Sequence, residues 1–147
     1  MLAALLFLLI LVVDQCTKFV IQMEMIPGQS LEVFPPFFSL TYVLNPGAAF
    51  GILEHQRFFF VFACIVLLLL FLYFYPKLRR MSPSIHYGCV AMLAGAVGNM
   101  LDRIHTGLVI DFFDFHFWPV FNVADIAIVI GVFLMACAIL FGKDEEK

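Results

Sequence analysis

The sequence predicts an all-α membrane protein: four transmembrane helices with a small extracytoplasmic β-sheet. Three observations carry this. Hydrophobic residues make up 64 % of the 147 residues, charged ones 13 %, and mean hydropathy is +1.06. A soluble domain is about half apolar and a quarter charged, so an ordinary soluble fold and a disordered chain are both excluded. The apolar residues gather into four stretches near the length of about 20 that a bilayer core of about 30 Å demands. The segment between the first two stretches carries strand and turn residues instead of a helical pattern.

The spans are expected at about 2–21, 58–75, 85–101 and 120–141, within one domain covering 1–147. Asp14, Gln15, Thr17 and Lys18 interrupt the first. It has neither a basic n-region nor an A-x-A cleavage site, so it is expected to remain in place and not act as a cleaved signal peptide. The segment 22–57 is punctuated by Pro27-Gly28 and Pro35-Pro36. Phe37 to Leu44 reads as a strand, Asn45-Pro46-Gly47 as a turn, and Ala48 to Leu53 as a possible returning strand. Orientation follows from the cations in short loops. Lys77, Arg79, Arg80, Lys143 and Lys147 stand against Arg57 and Arg103, which places the 76–84 loop and both termini in the cytoplasm.

With those directions, the polar residues of three spans converge near the outer leaflet. Asp14 lies about 20 Å along an outward-running helix, with Lys18 one turn on and on the same face. Asn99 and Asp102 end the third span, and Asn122 and Asp125 begin the fourth, each pair three apart. Ionisable groups inside spans are costly and mark function. Asp111 sits among Val109, Ile110, Phe112 and Phe113, a desolvating setting that raises a carboxyl pKa. It is 14 residues from Asp125 across a short connection, so the two are placed to face each other. Facing carboxylates share one proton, and such a pair can activate water and protonate an amine, as in aspartyl peptidases. The sequence has no HExxH and no GxSxG.

Plainer roles stand beside these. Asn122 and Asp125 have the spacing of a helix cap, and capping and catalysis both remain open. Asp14 with Lys18 reads first as an internal ion pair. Arg103 is expected to meet lipid phosphates or a substrate backbone in preference to Asp102. Ala91, Ala94, Gly95 and Gly98, with Ala124, Ala127 and Gly131, suit close helix contact. Trp118 is a candidate interfacial anchor, and Phe37, Phe38, Phe112, Phe113 and Phe115 are expected to meet the membrane in preference to substrate. Cys16, Cys64, Cys89 and Cys137 fall in apolar stretches without a CxxC, and the four histidines are scattered, so neither a disulfide framework nor a metal site is expected. The net charge of −3 with no basic block gives nucleic-acid binding no footing. A proton-coupled carrier and a non-catalytic assembly subunit are the competing readings. The first needs acids reaching both faces, and the second leaves the Asp cluster unexplained.

Five blocks occur in order: Asp14-Gln15-Cys16-Thr17-Lys18, Asn45-Pro46-Gly47-Ala48-Ala49-Phe50-Gly51, Gly98-Asn99-Met100-Leu101-Asp102-Arg103, Val109-Ile110-Asp111-Phe112 and Phe121-Asn122-Val123-Ala124-Asp125. Together they resemble the lipoprotein signal peptidase family, also called signal peptidase II, over nearly the whole chain. The resemblance implies an aspartyl endopeptidase of the bacterial inner membrane, needing no cofactor or metal. It would cut the signal peptide from diacylglyceryl-modified prolipoproteins just before the lipidated cysteine. By block position Asp111 and Asp125 match the catalytic pair. Asn45, Asn99, Asp102, Arg103 and Asn122 match the polar residues around it, and Asp14 and Lys18 match the first block. The family also implies a cradle-like extracytoplasmic sheet. Gly47 and Gly51 would allow close approach of a substrate backbone. The expected partners are the lipidated substrate and membrane lipids, with the chain a monomer.

Overall fold

A computed structural model describes residues 1–47, 54 and 56–141. The strand expected over Ala48 to Leu53, Gly51 within it, and the tail lysines Lys143 and Lys147 lie outside the described residues. In chain order the elements are α1 (Leu2–Glu24), β1 (Ser30–Phe34), β2 (Phe38–Asn45), α2 (Arg57–Leu78), α3 (Pro83–His105), β3 (Val109–Asp114) and α4 (Val123–Phe141). All four helices are long and apolar enough to cross a membrane.

Helix ends follow local chemistry. Ser82 caps α3, and Pro83 at its start has no amide hydrogen to lose. At α4 the Asn122 Oδ1 accepts from the Asp125 amide at 2.9 Å, and Asp125 Oδ2 accepts from the Asn122 amide at 3.2 Å. This reciprocal pair is the expected cap, formed by a residue that also bears on the site. The fourth helix therefore begins at Val123, three residues later than the apolar pattern suggests. The other helices run a turn or so beyond their apolar cores, because polar ends such as Met23-Glu24 and Arg103-Ile104-His105 continue the backbone ladder.

The third helix is the hub. It is the least hydropathic span and the most buried, and α1, α2 and α4 all pack against it. Small residues make this possible. A Cβ on Gly88 would lie 2.7 Å from the Gly131 carbonyl oxygen of α4, and one on Gly98 would lie 2.5 Å from Asp14 Oδ2 of α1. Gly98 thus opens the space into which α1 brings its carboxylate.

The sheet is antiparallel with order β1-β2-β3. Only β2 was foreseen, and its observed bounds shift by one residue. Strand β1 is short and exposed along its length, and β3 lies in what the sequence presents as a loop. Strand β3 exists because β2 pairs with it, Val43 opposite Asp111 and Asn45 opposite Val109. Ile21, Tyr42, Ile110 and Phe112 form a buried cluster that seats the sheet on the end of α1. That seat fixes β3 above the polar ends of α1, α3 and α4.

Candidate active site

Two layers of polar residues meet under the sheet. The lower layer closes α1 onto its neighbours. Lys18 Nζ lies 2.9 Å from Asp14 Oδ2 and 2.8 Å from Asp102 Oδ2, and donates to Asn99 Oδ1 at 2.9 Å. These contacts use the three protons of the ammonium. Asp14 Oδ1 accepts from the Ala124 amide at 2.9 Å. Asp102 Oδ2 accepts from the Ile110 amide at 3.3 Å. The ion pair expected of Asp14 and Lys18 is present and gains Asp102 as a third member. Gln15 joins it unforeseen, donating to Asp102 Oδ1 at 3.0 Å. Its place beside Asp14 in an apolar helix was the available signal.

The upper layer holds Asp111 and Asp125, and two amides connect the layers. An ammonium has no acceptor, so Lys18 fixes the Asn99 carbonyl toward itself. The Asn99 NH₂ therefore faces Asp125 and donates to Oδ1 at 2.8 Å. Asn122 Nδ2 donates to Asp111 Oδ1 at 2.7 Å and to Asn99 Oδ1 at 3.1 Å. Asn45 Nδ2 donates to the other Asp111 oxygen at 2.9 Å, while its own Oδ1 accepts from the Gly47 amide at 2.9 Å. Each carboxylate thus receives two N–H bonds from the chain.

Asp111 and Asp125 line one cavity of about 590 Å³ with Asn45, Gly47, Asn99 and Arg103. Its remaining walls are apolar and include Phe60, Cys64 and Leu67 of α2 and Ile128 and Val129 of α4. The particular α2 residues of this wall and the place of Trp118 beside the cavity were not foreseen, since no polar residue marks them. Burial first, and then repulsion from Asp125, pushes the Asp111 carboxyl up to about 7, against the hydrogen bonds from Asn45 and Asn122.

Arg103 finds its partners on the backbone and an aromatic ring. Its guanidinium donates to the Gly47 carbonyl at 2.6 Å and to the Asn99 carbonyl at 3.3 Å, and lies 4.3 Å from the Phe60 ring centroid. It is buried against the chain itself, tying the turn after β2 to α3 and α2, because the Gly47 carbonyl points inward at the end of the strand. Asp114, the second acid of β3, does not line the cavity. It accepts from the Thr41 hydroxyl at 2.8 Å and the His116 amide at 2.8 Å. Burial works to raise this carboxyl, but these bonds outweigh it and hold the group below the usual carboxylate range. Among the described residues no three His, Cys, Asp or Glu side chains gather as metal ligands.

Four membrane-length helices with two carboxylates in a largely apolar cavity at one end define a multi-pass membrane enzyme, and the structural neighbours agree. One bacterial membrane enzyme, solved by the in meso method at 2.3 Å, superposes with a TM-score of 0.91 at 36 % identity, over 99 % of this chain and 91 % of that one. Another, at 1.9 Å, gives 0.86 at 37 % identity, over 97 % and 93 %. The profile of the signal peptidase II family matches residues 6–141. The lipoprotein signal peptidase of Pelotomaculum thermopropionicum is 48 % identical over 138 residues, covering 94 % of this chain and 91 % of that protein. That of Moorella thermoacetica is 42 % identical over 142 residues, covering 97 % and 95 %. The chain belongs to the signal peptidase II family, and is thus a bacterial membrane peptidase.

Proposed function

We propose that the chain removes signal peptides from prolipoproteins by aspartic catalysis, with Asp111 and Asp125 as the working pair. The observation that carries this is their placement. Carboxylates from β3 and α4 enter one largely apolar cavity, each held by two N–H donors. Asp111 holds the proton of the pair and hydrogen-bonds the scissile carbonyl oxygen. Asp125 takes a proton from a water, whose oxygen attacks the carbonyl carbon. The leaving amine then receives a proton as the C–N bond breaks, and the pair returns to its singly protonated form. Asn45, Asn99 and Asn122 orient the pair; Asp14, Lys18 and Asp102 hold the helices that carry it; Gly47 and Gly51 admit the substrate backbone.

The substrate we propose is a diacylglyceryl-modified prolipoprotein, cut before the lipidated cysteine by a monomeric, single-domain enzyme. Both termini lie in the cytoplasm and the cavity near the outer leaflet. The exposed Lys77, Arg79 and Arg80 at the far end of the bundle support this topology. Single cysteines placed at Lys77 and at Gln29 in intact cells test it. Gln29→Cys should react with an impermeant maleimide and Lys77→Cys should not; the reverse pattern overturns the topology. The acids gather at one end of the bundle, which favours a peptidase over a proton relay across it.

Purified protein with lipidated prolipoprotein tests the activity. Cleavage is expected to persist with chelator and to fall steeply for a substrate whose cysteine is replaced by serine. Loss of cleavage on chelation would overturn the aspartic reading. Equal cutting of both substrates would overturn the proposed lipid requirement.

The raised Asp111 carboxyl also sets a pH dependence. Activity should decline as pH rises through about 7, because Asp111 then loses the proton the reaction needs. Stability has the same sign. A folded pKa of about 7, above the ordinary carboxyl value of 3.8, means a contribution fully present below about 4 and lost as pH rises through about 7. The melting temperature of Asp111→Asn relative to wild type should therefore move in the variant's favour between pH 4 and 8 (roughly the span of the two values). A constant difference across that range would show that Asp111 is not held protonated.

A further inference from the structure

Helix α2 stands between two clefts. Phe60, Cys64 and Leu67 face the cavity that holds Asp111 and Asp125. Leu68, Leu72 and Tyr75, on its other flank, face a second cavity of about 410 Å³. Ala4 and Phe7 of α1 form the opposite wall, with Leu93 of α3 at the base. This groove lies at the end of the bundle away from the sheet, between the start of α1 and the second half of α2. Apart from the Tyr75 hydroxyl its lining side chains are apolar.

The mouth of the groove has a different character. Beyond Tyr75 the chain carries Lys77, Arg79 and Arg80, all exposed, and none pairs with an acid among the described residues. The His86 ring lies 5.8 Å from that of Tyr75, and its Nε2 is buried with no hydrogen-bond partner among the described residues. An apolar slot that ends at Tyr75, with three exposed cations following in the chain, fits a molecule with an apolar tail and an anionic head.

We propose that this groove binds one anionic membrane phospholipid. An acyl chain lies between α1 and α2, and the phosphate meets Lys77, Arg79 and Arg80. The proposal rests on the membrane topology given above and not on the peptidase chemistry. The slot runs from Leu68 to Tyr75, roughly 10 Å along the helix axis. That is within one leaflet of a core about 30 Å thick, and too short for a membrane-spanning peptide. A signal peptide would also bring its basic n-region against the three cations. A lipid seated here fills the space behind α2 and braces the wall that α2 presents to the first cavity.

Native mass spectrometry of the purified full chain with phosphatidylglycerol or phosphatidylcholine of identical chains tests this. Wild type should retain phosphatidylglycerol in preference. Each cation near an anionic head is worth about fivefold in affinity, so K77Q/R79Q/R80Q should weaken that binding on the order of a hundredfold. Ala4→Phe, which fills the slot, should abolish retention of both lipids. Equal retention of the two lipids by wild type, unchanged binding by the triple variant, or full binding by Ala4→Phe would each overturn the site. Photolabelling of wild type guards against variants that misfold. A phosphatidylglycerol with a mid-chain diazirine should label peptides containing Phe7 and Leu72. Labelling confined to the peptide containing Val129 would overturn the placement, whatever the outcome of the cleavage assay.

Discussion

Asp111→Asn and Asp125→Asn should each lower prolipoprotein cleavage on the order of 10³–10⁴-fold, the scale of a lost general acid or base. Both should insert and purify as the wild type does. The two losses should not add in the double variant, because in the proposed mechanism the carboxyl groups work as a unit on one proton. Asp114→Asn is the control three residues away. It bonds Thr41 and His116 outside the cavity, so most activity should remain, within about twofold for a change of that kind. Initial rates with lipidated substrate in detergent, alongside a thermal melt of each variant, decide the matter. A dead Asp114→Asn beside an active Asp111→Asn would move the acid to the other member of the strand. A fully active Asp125→Asn would remove the pair altogether.

Lys18→Met should bring the largest loss of stability. The ammonium is 2 % exposed and lies between the Asp14 and Asp102 carboxylates, which are 0 % and 4 % exposed. Removing it leaves two buried carboxylates without their cation, a change that costs about 3–5 kcal/mol in comparable buried pairs. At this chain length that corresponds to a melting temperature lower by roughly 10 °C. Met fills nearly the same volume, so the effect belongs to the charge and not to a cavity. The companion is Lys18→Met with Asp102→Asn. It removes one stranded carboxylate and should recover part of the loss, a non-additivity expected of groups in one network. An unchanged melting temperature for Lys18→Met would mean that the triad does not hold α1 in place.

The sequence made these elements unequally legible. Long apolar stretches marked four spans because crossing a bilayer demands both length and composition. The polar cluster was legible for the opposite reason, since Asp14, Lys18, Asn99, Asp102, Asn122 and Asp125 are the residues a lipid environment tolerates least. Strand β3 was not legible. Asp111 owes its strand geometry to Val43, 68 residues earlier in the chain, and no local pattern reports a partner so distant. The backbone partner of Arg103 was hidden for a related reason. The adjacency of Arg103 to Asp102 was visible, but the inward Gly47 carbonyl that receives it exists only once β2 has ended above α3. The apolar wall supplied by Phe60, Cys64 and Leu67 is equally silent in sequence, because residues that line a cavity and residues that meet lipid share one chemistry.

The cleft between α2 and α4 has a kinetic meaning. Both helices lean on α3, and the cavity lies between Leu67 on one side and Val129, 67 % exposed, on the other. A substrate anchored in the same bilayer reaches such an opening by diffusing in a plane. The concentration that governs encounter is then the number of substrate molecules per lipid, and not per litre. In micelles, adding detergent at fixed enzyme and substrate dilutes that surface, so turnover slows although no bulk substrate concentration has changed. A Michaelis constant for this chain is therefore a mole fraction, and values in molar units from different detergent loads describe different experiments.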